Sequence, residues 1–148
     1  AGRVQRKLVD LDCHSEAIRY CEIELLRRSN FHAASEAVKG VFERIREMSG
    51  SGLDGAVLVD DVLSFRSHVP VLAMSMLRTD TERSEQTGLM NLLKGLYGLY
   101  RNPLAHEPRL VREDKRAISE TELVSVLVTV SLAHHHLDRC WQTSVSDN

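Results

Sequence analysis

The stretch Asn30–Met48, NFHAASEAVKGVFERIREM, decides the fold class. Phe31, Ala34, Val38, Val41, Phe42, Ile45 and Met48 recur at steps of three and four residues, so they lie on one helical face. Asn30 is the expected N-cap and Gly50-Ser51-Gly52 the expected stop. Further on, Leu53-Asp54-Gly55 reads as a turn and Val57 to Phe65 as a short helix. Asp60 and Asp61 hold adjacent helical positions that point apart, which favours exposed carboxylates over metal ligands. On the N-terminal side, Ser15 to Arg28 is a helical pattern with Ser15 as its expected cap. Its apolar residues Ala17, Ile18, Cys21, Ile23, Leu25 and Leu26 spread over more than one face. Residues 1–14 read as a basic lead-in or a short first helix.

Toward the C-terminus, Val69-Pro70 is expected to be extended, because proline disfavours the α-region in the residue before it. Val71 to Leu77 stays open between a buried extended stretch and a helix. Thr79-Asp80-Thr81-Glu82 is a capping-box pattern that opens a helix over Glu82 to Tyr100. Leu89, Met90, Leu92, Leu93, Leu96, Tyr97, Leu99 and Tyr100 make it apolar over more than half its circumference, as a central element requires. Gly88, Gly95 and Gly98 each cost about 1 kcal/mol against alanine inside a helix, so a helix crossing or a dimer seam is expected there. A final helix begins at the Ser119/Glu122 capping pair and runs to about Gln142, with the stripe Leu123, Leu127, Val130, His134, Leu137 and Trp141. Consecutive His134, His135 and His136 project about 100° apart and are poorly placed to share a metal ion. His134 is expected instead as a hydrogen-bonded core or interface residue.

Size and composition fit this reading. At 148 residues with 43% hydrophobic content, the chain is long enough for one domain with one ordinary core. Seven aromatic residues make that core aliphatic, which suits packed helices. A formal charge of −2 argues against a nucleic-acid coat, so any RNA contact must be local. Three cysteines, with no paired C-x-x-C, indicate neither a disulfide framework nor a zinc knuckle and fit a reducing cytoplasm. No signal-peptide pattern and no apolar run near the ~20 residues of a bilayer span is present. The chain opens on Ala1-Gly2-Arg3 without an initiator methionine, which leaves room for a processed form or an excised piece of a longer protein.

The chemistry concentrates in Arg101-Asn102-Pro103-Leu104-Ala105-His106. A permanently charged guanidinium forks onto phosphate oxygens, and an imidazole exchanges protons near neutrality. With fifteen arginines and seven histidines, roughly 0.7 Arg-x4-His matches are expected by composition, so spacing alone is weak. The second match, Arg27 and His32, straddles an element boundary at Ser29-Asn30 and lacks an Asn-Pro. Asn102 is a good N-cap and Pro103 suits a first helical position, so a further helix is expected to start there, its amides facing the same space as Arg101. His106 would border that anion pocket. Arg109 is a substrate-binding candidate, while Arg109, Arg112, Lys115 and Arg116 are largely offset by Glu107, Glu113 and Asp114. The competing reading is an Asn-Pro helix break with a surface arginine and a capping histidine.

The surroundings of the motif carry a resemblance. Glu85-Gln86-Thr87-Gly88-Leu89 and Gly95-Leu96-Tyr97-Gly98-Leu99-Tyr100 lead into Arg101-Asn102-Pro103 and Ala105-His106-Glu107. Upstream stand Asn30-Phe31-His32-Ala33-Ala34, Glu36-Ala37-Val38-Lys39-Gly40 and Gly52-Leu53-Asp54-Gly55 with Leu58. Downstream stand Ala117, Leu123, Leu127, Ser131, Leu132 and Leu137-Asp138. Together they resemble the HEPN superfamily, and within it the Ymh-type domains associated with abortive-infection and other defence loci. The resemblance implies an all-α, HEPN-like bundle; on this chain about five helices are expected, with residues 1–14 a lead-in or short helix, 15–142 one domain and 143–148 a flexible tail. It also implies a homodimer and, in active members, metal-independent endoribonuclease activity centred on Arg101, Asn102 and His106.

The expected role is therefore that of a cytoplasmic defence or toxin effector acting on RNA, with no cofactor, no metal and no membrane. An antitoxin or regulatory partner is a further expectation. The alternative is a noncatalytic module of the same fold that dimerises or docks a partner.

Overall fold

The computed structural model describes residues 2–27, 29–66, 69–101 and 117–143, as backbone alone over 22–27. Among these residues the chain is all-α, with six helices and one two-stranded sheet. The helices are α1 (Gly2–Asp10), α2 (Ser15–Arg27), α3 (Asn30–Ser49), α4 (Gly55–Leu63), α5 (Asp80–Tyr100) and α6 (Glu120–Asp138). The strands are β1 (Leu72–Ala73) and β2 (Trp141–Gln142).

Helix α3 sits at the centre, packed against α2, α5 and α6, because its apolar stripe is wide enough to face all three. Phe31, Ala34, Val38, Val41, Phe42 and Ile45 are buried, as their spacing requires. The helix begins one residue earlier in register than the sequence suggests: the Ser29 hydroxyl, not Asn30, accepts the His32 N–H at 3.1 Å. Asn30 instead sends its amide across to the Ile118 carbonyl at 3.3 Å. Gly50 ends α3 with a left-handed φ of 77° and donates its N–H to the Arg46 carbonyl oxygen at 2.8 Å.

The basic lead-in is a helix, since Val4 and Leu8, one turn apart, are buried against α2 and α6. At the start of α2 the capping position belongs to His14 rather than Ser15: His14 Nδ1 accepts the Glu16 N–H at 3.1 Å. Ala17 and Cys21 are buried along α2, and the side chains of Ile23, Leu25 and Leu26 lie outside the described residues.

Val71 to Leu77 resolves as the extended alternative. Leu72 pairs with Gln142 and Ala73 with Trp141, antiparallel, and Thr143 adds an N–H to the Val71 carbonyl oxygen at 2.9 Å. This pairing also corrects the last helix. Helix α6 stops at Asp138, Cys140 N–H turns back to the Leu137 carbonyl oxygen at 3.0 Å, and Trp141 lies 44% exposed on a strand instead of completing the buried stripe. Fully buried Gln86 holds three segments together: its amide donates to the Leu63 and Leu72 carbonyl oxygens at 3.0 and 2.8 Å, and its oxygen accepts from Met74 N–H at 3.0 Å. One side chain thereby satisfies backbone groups that α4 and β1 leave over.

Candidate functional site

Helix α5 delivers Arg101. Its start is the expected capping box, with Thr79 accepting from Glu82 N–H at 3.0 Å and Glu82 accepting from Thr79 N–H at 3.1 Å. At the other end Arg101 is the C-cap, half-buried, its N–H bonded to the Tyr97 carbonyl oxygen at 3.0 Å. Asn102, His106 and Arg109 lie outside the described residues.

Several chain segments meet where α5 ends. The Tyr100 ring lies 6.1 Å from the Phe31 ring at the start of α3, and its hydroxyl donates to Glu122 Oε2 at 3.3 Å in the first turn of α6. Burial, followed by the Glu122 charge, raises the Tyr100 pKa. Ser119 caps α6 by accepting Glu122 N–H at 3.0 Å. From the far side of that turn, Glu120 receives Arg3 Nη2 at 2.5 Å and Lys7 Nζ at 3.2 Å. Hydrogen bonds from Arg3 and then Lys7 hold the Glu120 carboxyl down at about 2. The α6 N-terminus, the α5 C-terminus and basic α1 thus share one end of the bundle.

Among the described residues no helix crosses α5 at its glycines. A Cβ built at Gly88, Gly95 or Gly98 meets nothing within 4 Å, and all three residues are exposed. Beside them a groove of about 350 Å³ runs between α5 and α6, lined by Leu92, Gly95, Leu96, Leu99, Tyr100 and Thr129 among others.

A second polar assembly lies at the opposite end of α6, where His134 is 1% exposed. Arg44 donates from Nη1 to His134 Nδ1 at 3.1 Å and to the His134 carbonyl oxygen at 3.2 Å, and from Nη2 to Asp138 Oδ1 at 2.5 Å. His14 stacks on His134 with centroids 5.1 Å apart and places Nε2 3.0 Å from Asp138 Oδ2. Desolvation, then the Arg44 charge, pushes the His134 pKa down to about 4. Burial works to raise the Asp138 pKa, but its bonds to Arg44 and His14 leave it lowered overall.

Ligand atoms of His14, His135 and Asp138 fall within 4.8 Å of one another, which invites a metal reading. The bonding opposes it. His14 Nδ1 already accepts a backbone N–H, so the neutral ring carries its proton on Nε2, facing Asp138. A metal on Nε2 would need that proton moved to Nδ1, against the Glu16 N–H. The arrangement is a structural latch joining α2, α3 and α6. Sequence reasoning placed His134 in the core but missed His14 and Arg44, whose partners lie across the fold.

Asp60 also departs from expectation. It is half-buried and bonded to Lys94 at 2.6 Å, with Arg66 at 3.6 Å; the Lys94 bond is the largest cause of its lowered pKa. Exposed Asp61 accepts from the Ser51 hydroxyl at 3.2 Å.

Fold and site together define an all-α bundle in which α5 leads into an Arg-Asn-Pro motif at an end shared with basic α1. Residues 11–137 match the model of the Hypoth_ymh family, described as proteins of unknown function, and the chain belongs to that family. No curated protein and no solved structure matches it. Among the described residues no helix is long and apolar enough to cross a membrane.

Proposed function

We propose that the protein is a metal-independent endoribonuclease of HEPN type, acting as a homodimer in cytoplasmic defence or as a toxin held in check by an antitoxin or regulatory partner. The observation that carries this reading is the delivery of Arg101 out of α5 at the N-terminal end of α6, with an open glycine face on the same helix. In the proposed reaction the ribose 2′-oxygen bonds to the adjacent phosphorus while the bond from phosphorus to the 5′-oxygen breaks. The 2′-hydroxyl loses its proton, the leaving oxygen gains one, and the products are a 2′,3′-cyclic phosphate and a 5′-hydroxyl.

His106 moves one of these protons, a role typically worth about 10²- to 10⁴-fold. Arg101 neutralises charge building on the nonbridging oxygens. Asn102 orients the phosphate or the imidazole, and Arg109 contacts the strand. One motif supplies a single proton carrier, so a two-fold pair seated on the α5 glycine face would bring two motifs to one cleft and furnish acid and base. The test is RNA cleavage in excess chelator by the wild-type chain and by His106→Ala. Loss of cleavage in the variant supports the assignment; activity that persists there, or that requires a divalent ion, rejects it. The second reading, a noncatalytic dimerising module, draws on the same open glycine face and predicts RNA left intact by the dimer.

A further inference from the structure

We infer that α1 is a phosphate-binding arm of the same cleft, so that single-stranded RNA is held by Arg3, Arg6 and Lys7 across the N-terminal end of α6. This rests on the nuclease reading for the position of the cleft, but on separate residues for its chemistry. Positions 3, 6 and 7 fall within one 100° arc of α1, next to the buried Val4 and Leu8 that dock the helix. The docking presents the arc to solvent: the Arg3 side chain is 73% exposed and that of Lys7 is 52% exposed. Arg6 spends an N–H on the Gly2 carbonyl oxygen at 3.3 Å.

Arg3, Arg6 and Lys7 therefore outnumber the two carboxylates beside them, Asp10 and Glu120, and Glu120, bonded to Arg3 and Lys7, stays ionised. A guanidinium has five donors and an ammonium three, so Arg3 and Lys7 keep N–H groups to spare after binding Glu120. Asp10 shares the arc one turn beyond Arg6 and Lys7, which leaves Arg3 the cation farthest from it.

Placement relates this surplus to the motif. Glu120 and Glu122 are two residues apart, about 200° around α6, so α1 and Tyr100 flank its first turn from opposite sides. Arg3 and Lys7 are thereby placed across the first turn of α6 from Tyr100, the residue before Arg101. The chain as a whole is acidic, so this patch supplies the local contact that a net charge of −2 requires.

The experiment measures binding apart from cleavage. Anisotropy of a short labelled single-stranded RNA is followed through a salt titration on the His106→Ala chain, with and without the triple change Arg3→Ala, Arg6→Ala, Lys7→Ala. The triple change should weaken binding at least tenfold at low salt and flatten the slope of log K against log salt by about 2. Glu120→Gln should have the opposite sign and tighten binding several-fold. Circular dichroism and melting check that both variants keep the helical fold, as expected for an exposed ion pair. Unchanged binding in the triple variant overturns the inference, as does absence of binding by the parent. Weakening by Glu120→Gln to match the triple variant also overturns it, because the pair would then act only through structure. Failure of the nuclease reading shows separately, as a wild-type chain that binds RNA through α1 and leaves it uncut.

Discussion

His134 is buried neutral because Arg44 takes its Nδ1 lone pair and the core surrounds the ring. Its pKa is lower in the folded chain than in the unfolded one, so the unfolded chain takes up the proton first as pH falls. Stability from this residue is complete above about 6.5, is lost as pH drops toward about 4, and changes little further below that. The loss is on the order of 3 kcal/mol. Chemical denaturation of the wild-type chain and of His134→Gln across this window should show the gap between them shrinking toward acid; a constant gap would contradict the assignment. Gly55 gives a second prediction. It has a φ of 62°, and an added Cβ would meet the Tyr97 ring at 3.0 Å. Gly55→Ala should therefore destabilise by about 1–2 kcal/mol in the same assay. The turn at Asp54-Gly55 was legible from residue type. The Arg44–His134 contact was not, because it joins positions 90 residues apart and periodicity reports only on one helix at a time.

Helix α5 shows what an element can and cannot disclose by itself. Its capping box and apolar width were readable because both are local patterns, whereas the partner of its glycine face is not encoded in the helix. Since nothing among the described residues lies over Gly95 or Gly98, Gly95→Ala and Gly98→Ala should each raise the stability of the isolated protomer by up to about 1 kcal/mol. If that face is the dimer seam, the same changes weaken self-association, so denaturation and sedimentation should move in opposite directions. Stability and association rising together would remove the seam from α5. At the start of α3 Ser29 and Asn30 are both capable caps, and the choice between them has a distant cause: Asn30 is drawn away by the Ile118 carbonyl, 88 residues on. The early end of α6 has a distant cause too, since Trp141 and Gln142 pair with a strand some seventy residues away.

At the scale of the whole molecule, the bundle separates two polar assemblies along α6. The latch of His14, Arg44, His134 and Asp138 fixes one end, and the meeting of α1, α3, α5 and α6 leaves charged and polar groups facing solvent at the other. The helical class followed from stripes such as Phe31 to Ile45, which any aliphatic bundle needs. The candidate site was legible only as Arg101-Asn102-Pro103 with His106, since the approach of α1 to Glu120 depends on the tertiary fold. The central claim is that this end cuts RNA through its own 2′-hydroxyl. Its most direct test is an oligonucleotide with one ribonucleotide in an otherwise 2′-deoxy strand, incubated with the protein in excess chelator. Cleavage confined to the 3′ side of that ribonucleotide, ending in a cyclic phosphate and abolished by His106→Ala, is the predicted result; scission of the all-deoxy strand, or scission that His106→Ala leaves intact, would contradict it.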